Sequence, residues 1–323
     1  MAAFVVSAAL VWWIARRTDV FYVIGLEGPA SALAGPLLPA VAAGATCALV
    51  LSLLDAAAGR VAGLLGALAV VLLPAFVEVH RESVRGPPLL ALILFMIAVM
   101  VHAPRFSFAY GGLAAMMAVF ISPAAVGLPV AAAIWTVLHA QRRGRRRWRR
   151  MALALAPLAA ALALLPWVGT EAWPPGVLLG WRGHVDGALG AIGLVLGDHL
   201  APGVTAGGLR WLIVADMTLI VLALLAVTWR RMIQPMPPAL TARQLFEALG
   251  ITAGCYAAGL IAKSLLVKAA PDPQVAEVFP LVVILAVLVV LGASMSWPRW
   301  SRAAKLLSLA LALGWASASL ILR

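Results

Sequence analysis

The sequence is short of charge, of cysteine and of strand-like alternation. Only 11% of its 323 residues are charged, against about a quarter in a soluble domain. So few charges cannot cover the surface of a water-soluble protein. The two cysteines, Cys47 and Cys255, both lie inside apolar runs. Neither reads as a disulfide partner or a metal ligand, so the redox compartment stays open. No ten-residue segments alternate apolar and polar residues, which excludes a membrane β-barrel. The first 15 residues lack a basic start and an A-x-A exit, and Arg16-Arg17 follow directly. They read as a short first helix, or a start placed late, rather than a signal peptide.

What is abundant is apolar length. Hydrophobic residues make up 64% of the chain and the mean hydropathy is +1.04. A membrane span takes roughly 20 mainly apolar residues, and in lipid its backbone must satisfy its own polar groups. The expected fold is therefore all-α, a polytopic transmembrane bundle of about eleven helices. The expected spans are 1–15, 37–54, 61–78, 88–103, 107–121, 123–140, 151–168, 210–229, 245–267, 279–296 and 303–321. Pro123 and Pro129 break what would otherwise be one overlong span over 107–140. The whole chain, 1–323, reads as a single transmembrane domain. Its external loops are 16–36, 79–87 and 169–209, and its basic cytoplasmic loop is 141–150. Within 169–209 the apolar stretch 191–197 suggests a short re-entrant helix, among prolines and glycines that suit a structured loop.

The net charge of +12 does not point to nucleic acid, because the arginines sit in short loops between apolar runs. The loop QRRGRRRWRR carries seven arginines in ten residues and belongs on the cytoplasmic side. Alternating outward from it puts the N-terminus inside and the C-terminus outside. Fifteen of the 24 Lys and Arg residues then face the cytoplasm, and nine of the twelve acids face out. The arginine run serves as a topology signal and a contact for anionic membrane lipids. Tryptophans near the span ends, Trp12, Trp13, Trp167, Trp229 and Trp297 among them, suit an aromatic belt without a ligand.

Chemistry, where present, faces out. The loop EVHRESVRGPP packs Glu78, His80, Arg81, Glu82 and Arg85 into eight positions after Pro74. Asp19 and Glu27 lie in the first external loop, and Glu171, Arg182, His184, Asp186, Asp198 and His199 in the long one. A carboxylate at the interface can deprotonate an acceptor hydroxyl or hold a divalent cation. Arginines can clamp a phosphate. The same residues also read as solvated loop groups and helix-end anchors. His184–Asp186 and Asp198–His199 read first as solvated pairs, and no H-x-x-x-H spacing marks a metal site. Asp216 and Lys263 fall within spans, where a charge is a functional candidate by default, although both lie close enough to an end to reach water.

The stretch 59–150 resembles the GT-C superfamily of membrane glycosyltransferases, in particular the protein O-mannosyltransferases and lipid A aminoarabinose transferases. The matching text is GRVAGLLGALAVVLLPAFVEVHRESVRGPPLLALILFMIAVM, then FAYGGLAAMMAVFISPAAVGLPVAAAIWTVLHAQRRGRRRWRR. It holds a Gly-rich span ending in Pro74, the HRESVR turn, the Gly111-Gly112-Leu113-Ala114 span and the basic loop.

The resemblance implies transfer of a sugar from a polyprenyl-phosphate donor at the outer face of a bacterial inner membrane. Asp19 would be the catalytic base or metal ligand, with a divalent cation as the implied cofactor. Arg81 and Arg85 would bind the donor phosphate, and Glu78, His80 and Glu82 would shape the site. His184 and Asp186 are secondary candidates. The chain departs from the superfamily pattern in two places. The first loop has no adjacent acid pair, and Gly86-Pro87 stands where an acid often follows the turn. These departures suit a second reading, a divergent, non-catalytic scaffold or accessory subunit of a larger membrane complex. A third, a transporter, would require charges converging at mid-membrane.

Overall fold

The computed structural model describes residues 31–82, 86–103, 110–140, 181–200, 240–266, 275–297 and 300–321, with the single positions 156, 159, 214, 215, 218, 219, 222, 226 and 230. Nearly all of these residues are helical, and no strand occurs among them. Three helices are long and apolar enough to cross a membrane: Ala40–Ala58, Thr241–Lys263 and Val275–Ser296. The last has a mean hydropathy of 2.8. Shorter apolar helices cover Arg60–Leu72, Gly86–His102 and Pro123–Leu138. This is the pattern of a helical membrane protein.

The described chain groups into two compact units, one of 1–82, 194–246 and 282–323 and the other of 83–193 and 247–281. In the first unit, α1 (Ser31–Ala58) turns into α2 (Arg60–Leu72) through a single residue, Gly59. Its φ of 91° is the one positive value among the described residues. Only glycine takes that conformation without strain. The turn lays α2 directly along α1. A Cβ at Gly63 would come within 2.8 Å of the Leu51 carbonyl oxygen, and one at Gly66 would run into the Leu54 side chain. Lipid supplies no hydrophobic drive between helices, so close approach through small residues is how such helices gain contact.

The span expected over 61–78 is broken. Pro74 disfavours helical backbone in the residue before it. Leu73 is accordingly extended, with φ −57° and ψ 130°. A new short helix, α3 (Ala75–Glu82), starts beyond the proline, so residues 79–82, expected in a loop, are helical. α3 packs on both α1 and α2.

In the second unit, α4 (Gly86–His102) packs against α5 (Gly112–Ile121). The expected break near Ser122-Pro123 is present. Ser122 is extended, a 3-10 turn covers Pro123–Val126, and α6 (Gly127–Ala140) packs back on α5 and α4. Three more helices follow among the described residues, each shared between the two units. α7 (Trp181–Leu200) falls in the segment expected to be a loop with a short dip. α8 (Leu240–Leu266) and α9 (Val275–Ser296) are two of the three long apolar helices. Finally α10 (Arg302–Ile321) packs on α2 within the first unit.

Candidate functional site

An ionic cluster lies in the second unit. Lys263, near the end of α8, is 8% exposed. Its Nζ meets Glu277 Oε2 at 2.6 Å. Ser122 Oγ, at the elbow between α5 and α6, donates to the other carboxylate oxygen, Oε1, at 2.9 Å. Tyr256, buried two turns before Lys263, donates its hydroxyl to the Glu277 backbone carbonyl at 2.7 Å. Three side chains, two from α8 and one from the α5–α6 elbow, therefore meet on one residue in the first turn of α9.

Backbone chemistry explains why they meet there. Ser122 is extended because Pro123 follows it. Its hydroxyl accepts from Ala124 N at 3.3 Å, capping the 3-10 turn, and so points its own hydrogen outward to Glu277. Below the elbow, glycines bring α8 in close. A Cβ at Gly127 would collide with the Cys255 carbonyl, and one at Gly259 with the Ala124 carbonyl. This contact holds Tyr256 and Lys263 at the height of Ser122. In α9, Pro280 has no N–H to offer the turn before it. The Tyr256 hydroxyl supplies a donor to that weakened turn.

Sequence reasoning singled out Lys263 within a span and counted Glu277 only among the nine outward-facing acids, without joining the two. A signal was present. The two carry opposite charges at the facing ends of consecutive spans, where a helical hairpin brings residues together.

The expected site is only partly within the described residues. Asp19 and Arg85 lie outside them. Glu78, His80, Arg81 and Glu82 do not form a loop cluster but sit on α3. Positions 78, 81 and 82 share a helix face by their spacing, and position 80 does not. Glu78 is exposed and His80 is buried. The His80 ring lies 4.3 Å from that of Phe76, and its Nδ1 donates to the Phe76 carbonyl at 2.6 Å. Burial lowers its pKa from 6.5 to about 4, with that hydrogen bond opposing the shift. His80 is thus a neutral packing residue of α3, and Glu78 is its outward-facing acid.

His184 and Asp186 both fall on α7. Positions 184 and 186, two apart on a helix, lie on different faces, and Asp186 is exposed. Among the described residues no three His, Cys, Asp or Glu side chains gather as metal ligands. The chain matches no known protein family, no characterised protein and no solved structure.

Proposed function

We propose that this chain is a multi-pass protein of about eleven spans in a bacterial inner membrane, with its N-terminus inside and its C-terminus outside. In this reading it transfers a sugar from a polyprenyl-phosphate donor at the outer face, in the manner of the GT-C enzymes it resembles. The observation that carries this best is α3. A glycine-rich apolar helix stops at Pro74, and a short helix follows that exposes Glu78, with Arg81 at a position on the same face. That is a polar platform at the end of an apolar hairpin, where a lipid-borne phosphate would arrive. Arg81 and Arg85 would take the phosphate by charge-assisted hydrogen bonds. Asp19 would accept the acceptor's proton or hold a divalent cation.

The test is transfer from a polyprenyl-phosphate-linked sugar by the full chain in lipid nanodiscs. Loss of transfer in Asp19→Ala, and weaker donor binding in Arg81→Ala with Arg85→Ala, is the expected result. Full transfer in Asp19→Ala removes that residue from the mechanism.

The second reading is a non-catalytic scaffold or accessory subunit. It is favoured by the Lys263–Glu277 contact, where the buried charges of the second unit join helices to one another. Fixed-stoichiometry co-purification with other membrane subunits, and no donor binding, would select it. The pair also lies at the ends of its helices and not at their middles, which speaks against the transporter reading.

A further inference from the structure

α9 runs from Val275 to Ser296, 22 residues with a mean hydropathy of 2.8. At 1.5 Å per residue that is about 33 Å, enough for about 30 Å of hydrocarbon. The stretch that follows, WPRWSRAAK over 297–305, therefore starts at the edge of a bilayer. It holds three basic residues and two tryptophans in nine positions, and no acid occurs from 278 to 323. Its side chains contact one another. The Trp297 and Trp300 rings lie 5.6 Å apart at 44°, and the Trp300 N–H donates to the Trp297 carbonyl at 3.2 Å. Lys305, in the first turn of α10, reaches back so that its Nζ stands 5.9 Å from the centre of the Trp297 ring. Both tryptophans are half-buried, and Arg302, at the start of α10, is exposed.

We propose that 297–305 binds the headgroup of one anionic phospholipid, with Arg302 and Lys305 on its phosphate and the two tryptophans against its glycerol and upper acyl chain. This rests on the chain spanning a membrane and not on sugar transfer. An aromatic belt accounts for each tryptophan singly. It does not account for a lysine folded over one of them, since a lysine at the end of a span ordinarily extends its stem toward water. The ring contact instead holds the ammonium at the depth of the lipid phosphates. A cation already held in place binds an anion at lower entropic cost. The segment supplies no acid of its own to offset its charges, while the adjoining leaflet presents phosphate, which lysine and arginine take by charge-assisted hydrogen bonds.

The test counts lipids on the full chain by native mass spectrometry from detergent, titrated with phosphatidylglycerol or with phosphatidylcholine. The parent should hold one phosphatidylglycerol more tightly than any further one, and no phosphatidylcholine with matching affinity. Arg302→Gln with Lys305→Gln should weaken that first phosphatidylglycerol at least about tenfold, as expected for two cations at the leaflet surface, and leave phosphatidylcholine unchanged. Trp297→Leu with Trp300→Leu keeps the charge and should weaken it by a smaller factor. Arg142→Gln with Arg143→Gln removes the same charge from the basic loop and should leave the tight lipid in place. Circular dichroism melting shows whether each variant is folded. If the tryptophan variant does not fold, Arg302→Gln with Lys305→Gln decides, because Arg302 is exposed and Lys305 only partly buried. Equal weakening by the two charge-removing pairs shows a diffuse attraction and overturns the site. So does parent affinity in Arg302→Gln with Lys305→Gln, or in the folded tryptophan variant.

Discussion

Lys263, near the end of α8, meets Glu277, in the first turn of α9, at 2.6 Å. An ion pair in this setting costs desolvation on both sides and is strongly missed only when one partner is left alone. Lys263→Met should therefore lower stability by about 3 kcal/mol, because it strands a mostly buried carboxylate. Replacing both partners in Lys263→Met with Glu277→Met should recover most of that loss. Denaturation of the purified variants in one detergent checks this. A double variant as unstable as Lys263→Met would show that the pair itself, not the orphaned charge, supplies the stability.

The glycine contacts beneath the cluster make a sharper prediction. At Gly127 and Gly259 an added Cβ meets backbone carbonyls, Cys255 and Ala124 respectively. A carbonyl in a helix cannot rotate away as a side chain can, so the helices must separate. Gly127→Ala and Gly259→Ala should each cost about 1–3 kcal/mol, as overpacking does. Gly250 lies on the same helix with nothing within 4 Å of an added Cβ. Gly250→Ala should be neutral or slightly stabilising, since alanine is favoured over glycine in a helix by about 1 kcal/mol. Thermal melts of the three variants compare them directly, and a Gly259→Ala melt matching that of Gly250→Ala would contradict the close approach.

Some of this architecture is legible in the residues, and the rest is hidden for identifiable reasons. The break at Ser122-Pro123 is readable because proline acts locally on its neighbour. Pro74 acts in the same way, yet the apolar run VVLLPAFV masks it, since hydropathy alone continues through the break. α7 is missed because its glycines read as turn formers. Gly183, Gly187, Gly190, Gly193 and Gly197 in fact recur every three or four residues, which is helical spacing. The ionic cluster is half legible. A lysine in a span asks for a partner, but that partner, Glu277, is also held by positions 122 and 256, and only folding brings those together.

His80 gives a pH dependence whose sign can be worked out. Its ordinary pKa is 6.5, and burial on α3 lowers it to about 4. The folded protein therefore holds His80 neutral, while the unfolded chain takes up a proton below pH 6.5. The stability from neutral His80 is fully present above pH 6.5 and is lost as pH falls from 6.5 toward 4. At about 1.4 kcal/mol per pKa unit, the loss is on the order of 3 kcal/mol. Other groups titrate in the same range, so the comparison must be between wild type and His80→Gln. The difference in their stabilities should shrink on acidification across that window, and a difference that stays constant from pH 7.5 to 4 would show that His80 is not held neutral.

Glu78 separates fold from chemistry. It is exposed on the helix whose opposite side buries His80. Removing its charge takes away no buried contact, so Glu78→Gln should melt with wild type. His80→Ala, by contrast, leaves a cavity beside Phe76 and removes the ring contact and the hydrogen bond to its carbonyl, and should melt lower. If α3 forms part of a donor site, Glu78→Gln should reduce sugar transfer or donor binding at unchanged stability. A Glu78→Gln protein that both melts and transfers as wild type does would take Glu78 out of the site and leave α3 as a helix connector alone.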